Sequence, residues 1–557
     1  MKIIKSGVNN KNKYLSSNKN LNDKSIKFSK EINDIINLYE TRNSLKYIDQ
    51  KNKKNELSLS LPKNNNKTIS KLNNNFNENQ RISTLNNQTS KLEPSFNYYI
   101  IIQGHSYNII KKCLDLRNNW KQIPESFNQK KNNCNFLWSP LSSDINFEDY
   151  SYYISNNIKF TNHFEFHSSL TNKLFLFYNM IKYCEKYSKN IFNFLPFTIP
   201  IDTNHFSYKE QFTSFKNLFT NINQFLGINN NKNKTFGEFF YLNSNILNLG
   251  FKTKLFIPKN FYNDRNLWLI KPLNYNGGRN IQINDSIEKI NNSIFDLTGM
   301  NIINQIEKEK KINLVQKEIQ NENQIISDKV ILQKYLEKPL LYNDRKFDMR
   351  IWVLLNHEMN IYICKEGHLK VASEKYYIQS NDLYVHLTNY TIQKKNPNFS
   401  KKEIGNEISF EIFQNSLDKL LKEQKKENIN FRKDVLPKVK EIILLSMESV
   451  KYLINEKERK NCFELFGYDF IFDQNFNPYL LEINTNPGLE ESSPLLKKII
   501  PRMIDDLLKL TIDKIIKPIY KYKTENYKYP FKIKNYDDED NLWELIGNIK
   551  LKKNKEI

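Results

Sequence analysis

Late in the 557-residue chain, Asp469, Glu482 and Asn484 have the types and spacing to hold a divalent cation. Tyr468 to Asp473 and Tyr479 to Ile483 are rich in aromatic and branched residues. Between them Gln474, Asn475, Phe476, Asn477 and Pro478 form a run of turn formers, so the stretch reads as a hairpin. Glu482 and Asn484, two apart, point to one face of their strand, and the hairpin can bring Asp469 beside them. Their oxygens are hard ligands that suit Mg²⁺ and the phosphates it carries. The same pattern also fits a surface hairpin with ordinary outward polar residues, so residues upstream must choose between the two.

Several upstream residues bear on that choice. Lys271 ends an apolar strand, Leu267 to Pro272, and can reach toward phosphates. The following loop contains Gly277 and Gly278, and glycine lets backbone N–H groups approach a charged ligand, although a Gly-Gly hairpin is also often only a turn. Val330 to Pro339 makes a strand leading to a linker, a natural place for an adenine to bond backbone groups. Lys346, Asp348 and Arg350 alternate with Phe347, Met349 and Ile351, then run into Trp352 to Leu355. Charges that close to a core need partners. His163 and His167, four apart, read as packing rather than as metal ligands, given their aromatic neighbours.

The elements that must position these groups can be read in outline. Residues 1–92 are Asn-, Lys- and Ser-rich and read as a disordered basic arm. Residues 93–205 suit an N-terminal α/β domain: strands at Tyr98 to Gln103 and Phe136 to Trp138, a helix from Ser106 to Arg117, a helix from Leu170 to Tyr187 that begins near Lys173, and a proline-fixed strand edge at Leu195 to Pro200. Residues 206–340 form a central domain with a charged insertion at 284–328, read as a loop or loose helix. Residues 341–520 form a C-terminal domain, with strands at Lys346 to Leu355, Asn360 to Cys364 and Leu369 to Ser373. Helices are expected at Ser409 to Gln424, Val435 to Asn455 and Pro494 to Lys517. Residues 521–557 read as a basic tail with one apolar knot, Leu542 to Ile546, that can dock.

Composition sets the surroundings. The chain has 84 Lys+Arg against 61 Asp+Glu, a formal charge of +23, which favours an acidic partner or reflects an Asn/Lys-biased composition. Five scattered cysteines with no CxxC spacing argue against zinc or a disulfide framework. No apolar run approaches a membrane span, and no aromatic-and-basic RNA signature is present. The expected setting is cytoplasm and cytoskeleton, with no nucleic-acid or membrane partner.

In order along the chain stand WLIKP, ILQKYLEKPLL, RKFDMRIWVLL, VHLTNYTIQK and FELFGYDF followed by LLEINTNP, preceded by NHFEFHSSLTNK. Together, over roughly Phe96 to Ile515, this set resembles the tubulin–tyrosine ligase-like family, ATP-grasp amino-acid ligases. The resemblance implies an α/β (α+β) ATP-grasp fold with N-terminal, central and C-terminal domains. It implies ATP and Mg²⁺, a free amino acid (glutamate, tyrosine or glycine), and acidic C-terminal tails of tubulin or microtubules as acceptor. The enzyme would be a monomer of the cytoskeleton, cilium or basal body.

Residue by residue, Lys271 resembles the ATP-phosphate lysine and Lys173 a further cation at the nucleotide and acceptor site. Gln333, Lys334, Tyr335 and Leu336 resemble the adenine-binding crossing, largely through backbone. Lys346 and Asp348 resemble ribose and nucleotide contacts, and Arg350 the cation facing the transferred phosphate. Thr388 and Asn389 resemble polar groups on the substrate or phosphate side, and Asp469, Glu482 and Asn484 the metal ligands. Two departures stand out. The loop after Lys271-Pro272 reads Asn276-Gly277-Gly278-Arg279-Asn280-Ile281 where an NRGRGI-like pattern is expected, and Lys370 replaces an expected arginine, keeping charge but losing two-pronged geometry. An active ligase is the first reading, and a microtubule-binding pseudoenzyme with the same fold is the alternative.

Overall fold

A computed structural model describes residues 95–550 apart from 102–105, 125–133, 151–157, 206–207, 229–256, 264, 274, 276, 300–327, 426 and 525–527. The expected disordered arm and most of the charged insertion lie outside the described residues. Three sheets carry the structure. The first is parallel, in the order β2-β1-β3-β4, with β1 Phe96–Ile100, β2 Trp120–Gln122, β3 Phe136–Trp138 and β4 Phe160–Thr161. Helix α1, Tyr107–Leu114, buries Ile109, Ile110, Cys113 and Leu114 against it.

Helix α2 runs Lys173–Lys186. The continuous helix expected from Leu170 is instead broken at Asn172, whose extended backbone ends a short turn, Ser168–Thr171. Its side-chain oxygen accepts from the N–H groups of Leu174 and Phe175, an N-cap that restarts the helix. Lys173 is the first residue of this helix, at the start of the helix as expected.

The second sheet is antiparallel, order β5-β8-β6-β7, from β5 Thr198–Asp202, β6 Trp268–Pro272, β7 Gln282–Asn284 and β8 Lys329–Lys334. Pro200 sits in β5, an edge strand, where its missing N–H leaves no neighbour unpaired. Helix α3, Tyr208–Ile228, follows β5. Part of the stretch read as a loose insertion is a regular amphipathic helix, α4, Ile287–Thr298, ended by Gly299 in the left-handed region.

The third sheet has seven strands: β9 Leu341–Tyr342, β10 Arg345–Leu355, β11 Asn360–Val371, β12 Glu407–Ser409, β13 Glu464–Phe472, β14 Pro478–Thr485 and β15 Trp543–Asn548. Five run in the order β12-β11-β10-β13-β14, with β9 on β10 and β15 on β11. Where two strands were expected after Asn360, β11 is continuous. It pairs with β10 on both sides of a register shift between Ile351 and Val353, which takes up Cys364 to Glu366 without ending the strand. Helices α5 Phe410–Glu423, α6 Leu436–Ser449 and α7 Pro494–Leu510 cover the sheet, and α6 and α7 stop short of the expected ends. Residues read as a tail supply β15, so the chain's last described strand is part of the main sheet.

The turn of the β13–β14 hairpin is held by buried Asp473. Its carboxylate accepts from the N–H groups of Asn475 and Asn477 and from the side chains of Asn260, Asn477 and Tyr479.

Candidate active site

Register across the third sheet assembles the charged residues. Directly opposed residues of paired strands share a face. Arg350 of β10 stands opposite His368 of β11 and Asp469 of β13, and Asp469 stands opposite Glu482 of β14. One rung over, Asp348 stands opposite Lys370, which stands opposite Glu407. A register shift between Asp469 and Phe470 puts Asp469 and Glu482 level, a common use of a bulge near functional sites. Asn484 follows two residues on, on the same face, and its amide nitrogen lies 3.1 Å from Asp469 Oδ2 and 3.4 Å from Glu482 Oε1.

Cations surround these oxygens. Arg350 grips Asp469 with two prongs, Nε to Oδ1 at 2.6 Å and Nη2 to Oδ2 at 2.8 Å. Lys370 Nζ lies 2.6 Å from Asp348 Oδ1 and 3.2 Å from Asp469 Oδ1. Lys173, placed at the start of α2 by the Asn172 cap, lies 3.3 Å from Glu482 Oε2. Burial opposes ionisation of Asp469, yet Arg350 and Lys370 hold its carboxyl well below the usual range. Glu482 is held low against its burial by Lys173. For Asp348, burial wins and the carboxyl is pushed up in spite of Lys370.

The second sheet faces this array across a cleft lined by residues of both sheets. Lys271 of β6 donates to Gln333 Oε1 at 2.6 Å, and Gln333 is steadied by Thr198 at 3.0 Å. Burial pushes the Lys271 ammonium down to about 8. Lys346 donates to the His386 carbonyl at 2.6 Å over the Tyr335 ring, and burial pushes it down to about 7. Thr388 donates to Asp348 Oδ2. Lys173, Lys271, Gln333, Lys334, Tyr335, Leu336, Lys346, Asp348, Lys370, Thr388, Asn389, Asp469 and Glu482 all line the cleft, while Arg350 and Asn484 reach it through Asp469.

Lys334 differs from its neighbours. Its ammonium turns away to Glu337 at 2.5 Å and the Leu267 carbonyl at 3.0 Å, leaving only its backbone at the cleft. Leu269, Ile281 and Leu387 add apolar wall, and His386 ties the cleft together through Tyr335 at 2.9 Å. Those four residues were not singled out from the sequence. The strand period of WLIKP and the position of His386 inside VHLTNYTIQK were the available signals.

The loop after Lys271 closes over the cleft. Gly277, Gly278 and Asn280 all have positive φ, which glycine adopts freely and asparagine tolerates. A Cβ on Gly278 would come within 2.5 Å of Asn389 Oδ1, and Thr391 donates to the Gly277 carbonyl. The two positions that depart from the expected pattern are thus sites whose backbone suits the residues present.

The sequence profile of the Tubulin-tyrosine ligase family matches residues 153–519. The chain is 30% identical over 252 residues to Tubulin glycylase 3B of Tetrahymena thermophila, covering 45% of this chain and 18% of that protein. It is 29% identical over 257 residues to Tubulin glycylase 3A of Drosophila melanogaster, covering 46% and 23%. It is 33% identical over 201 residues to a probable beta-tubulin polyglutamylase of Tetrahymena thermophila, covering 33% and 16%. The matched stretch spans under a quarter of each of these relatives.

Proposed function

The chain belongs to the tubulin-tyrosine ligase family, with that family's mixed α/β, ATP-grasp architecture, and from that premise we propose that it joins an amino acid to acidic tubulin tails at the expense of ATP. One observation carries the reading: Lys271 of the second sheet faces Lys346, Lys370, Asp469 and Glu482 of the third across a single cleft, with Arg350 gripping Asp469 behind them. A carboxylate is a poor acyl donor. Phosphorylation by ATP turns it into an acyl-phosphate, which an amine then converts to an amide, releasing phosphate. Charge builds on the transferring phosphoryl group, so fixed cations at that point accelerate the step without an enzyme nucleophile.

In this reading Tyr335, Leu336 and the backbone of Lys334 receive the adenine, and Lys346 and Asp348 the ribose side. Lys271 holds phosphates, steadied by Gln333, with Thr388 and Asn389 bordering them. Arg350, Lys370 and Lys173 face the phosphoryl group. Two neighbouring carboxylates with an amide against both are a donor set that fits Mg²⁺ once the Asn484 amide turns its oxygen toward them. Asp469, Glu482 and Asn484 would hold it, where it would neutralise phosphate charge.

The relatives named as glycylases and as a polyglutamylase favour glycine and glutamate ahead of tyrosine as the added group. A chain of charge +23 is suited to steering toward acidic tails. No helix among the described residues is long and apolar enough to cross a membrane. The test offers the purified chain Mg-ATP, tubulin, and glycine, glutamate or tyrosine, and weighs the intact tails. A mass gain of one amino acid that disappears in Glu482→Gln is expected. Tubulin binding without any mass gain would leave the pseudoenzyme reading in its place.

A further inference from the structure

The charged rungs continue past Lys370 to the edge of the sheet, where one carboxylate stands apart. Asp348 pairs with Lys370, Asp469 with Arg350 and Lys370, and Glu482 with Lys173. Glu407 on β12, level with Lys370, has no ion pair to a lysine or arginine among the described residues, although its side chain is only 7% exposed. Its Oε2 accepts from Ser493 Oγ at 2.5 Å. Its Oε1 lies 3.9 Å from Nε2 of His368, an imidazole kept neutral by burial and by Arg350 and Lys370. Burial pushes the Glu407 carboxyl up, even though Ser493, Lys370 and Arg350 pull the other way. A buried carboxylate with no cation of its own calls for one from outside.

A single loop joins Glu407 to the phosphate side of the cleft. The loop Thr485 to Ser493 starts beside Asn484 and ends on Glu407. It passes over Arg350: a Cβ on Gly467 would come 2.9 Å from Pro487 and 3.2 Å from Arg350 Nη1. A Cβ on Gly488, next in the loop, would meet nothing within 4 Å. At the other end, Gly405 lies under Ser493 and Glu407, where a Cβ would sit 3.7 Å from Glu407 Oε2. One loop therefore roofs a strip running from the phosphate-facing arginine to the uncompensated carboxylate.

We propose that Glu407 receives the ammonium group of the incoming amino acid and takes its proton. The inference rests on the ligase reading above. The amino acid arrives as an ammonium ion, which cannot attack. One proton passes to the Glu407 carboxylate, and the freed nitrogen lone pair attacks the acyl-phosphate carbonyl carbon. The C–N bond forms, and the C–O bond to phosphate breaks with its electron pair leaving on phosphate. The second proton lost from nitrogen goes to the departing phosphate, and Glu407 returns its proton to water.

Hydroxylamine tests the assignment, because it is uncharged at neutral pH and attacks acyl-phosphates without needing an ammonium site or a base. Full-length wild type and Glu407→Gln are compared with Mg-ATP, tubulin, and either the amino acid that wild type adds or hydroxylamine. The expected result is a loss of about 30-fold or more in kcat/KM for the amino acid in Glu407→Gln. Hydroxamate formation and KM for ATP should stay near wild type, and Glu407→Asp should recover part of the loss. Equal losses with both nucleophiles would reduce Glu407 to a structural residue and overturn the proposal, as would an unchanged KM and kcat for the amino acid. Wild type that forms neither amide nor hydroxamate would overturn the ligase reading itself.

Discussion

At the scale of single residues, the cleft holds two lysines whose charge depends on what binds. Burial leaves Lys346 at about 7 and Lys271 at about 8, so near neutral pH the empty cleft carries less positive charge than its composition suggests. Bound phosphates favour the ammonium forms and raise both values. Nucleotide binding should then take up protons, and its affinity should fall as pH climbs above about 7 through the free-state values. Calorimetry of ATP binding at pH near 8, in buffers of different ionisation enthalpy, reads this directly. An uptake of about one proton is expected, mostly lost in Lys346→Met, and a binding heat independent of buffer would contradict it. Glu482→Gln belongs to the same scale. It should lower ligation by about 100-fold or more with little change in melting temperature, because its work lies in charge placement rather than packing. Most of these residues could be read from the sequence, since Lys346, Asp348 and Arg350 alternate along one strand and that period survives folding. Their partners could not. That Lys370 bridges Asp348 and Asp469, or that Glu407 lacks a cation, follows from the register of four strands, which no local pattern encodes.

At the scale of elements, the hairpin that carries Asp469, Glu482 and Asn484 is fastened at its base to an earlier part of the chain. Glu464 opens β13, and its carboxylate accepts from Thr485, next to Asn484, at 2.6 Å and from the Phe164 N–H at 2.9 Å. It also meets His163 Nδ1 at 2.8 Å, while His163 Nε2 faces the Ser139 carbonyl at 2.9 Å. Both ring nitrogens face acceptors, which the doubly protonated imidazolium satisfies. Burial works against that charge, but Glu464 holds the His163 value above normal, while neighbouring His167 is pushed down to about 4. The two histidines that read as packing are therefore one buried ion-pair member and one neutral ring. The pair's stabilisation should be fully present below the unfolded histidine value of about 6.5 and should fade as pH rises through the raised folded value. On the acid side, it should fade as pH falls through the depressed value of Glu464. Glu464→Gln leaves a buried cation with a weaker partner, and a loss of about 3 kcal/mol in unfolding free energy is expected from denaturant titration. In wild type minus variant, that loss should shrink toward alkaline pH, and a pH-independent difference would deny His163 its charge. The loop after Lys271 offers a second test. Gly278→Ala would press on Asn389 and strain a left-handed backbone, so KM for ATP should rise several-fold while stability falls by about 1 kcal/mol.

At the scale of the molecule, the sequence showed the alternation of strands and helices but not which segments close the sheet. The helix break at Asn172 and the unbroken β11 depend on capping and pairing that periodicity alone does not reveal. The C-terminal stretch hid its strand for a different reason: its polar composition resembles a tail, although the apolar knot that was expected to dock does so through buried Leu542 and Trp543. Tyr529, Phe531, Leu542 and Trp543 are buried in the core that joins α1, α7 and the outer face of the main sheet. The anchor is Arg502 of α7, fully buried, which pairs with Asp506 at 2.8 Å and points Nη2 at the carbonyls of Asp537, Asp538 and Asp540. Asp506 in turn accepts from the Leu542 N–H at 2.9 Å, and the Trp543 indole donates to the Met503 carbonyl at 3.0 Å. β15 then pairs along β11, whose opposite end carries Lys370. Burying one such aromatic or leucine side chain is worth about 1.5–3 kcal/mol, so the four together approach the whole stability of an ordinary domain. Ending the chain after Lys528 would remove them and leave the Arg502 guanidinium without its carbonyls. A fall of more than about 10 °C in melting temperature, or loss of soluble protein, is expected. A chain ended after Lys550 keeps every one of these contacts and should melt with the full-length protein. Equal melting of the Lys528 truncation would show that α7 and β11 hold the cleft without the C-terminal strand.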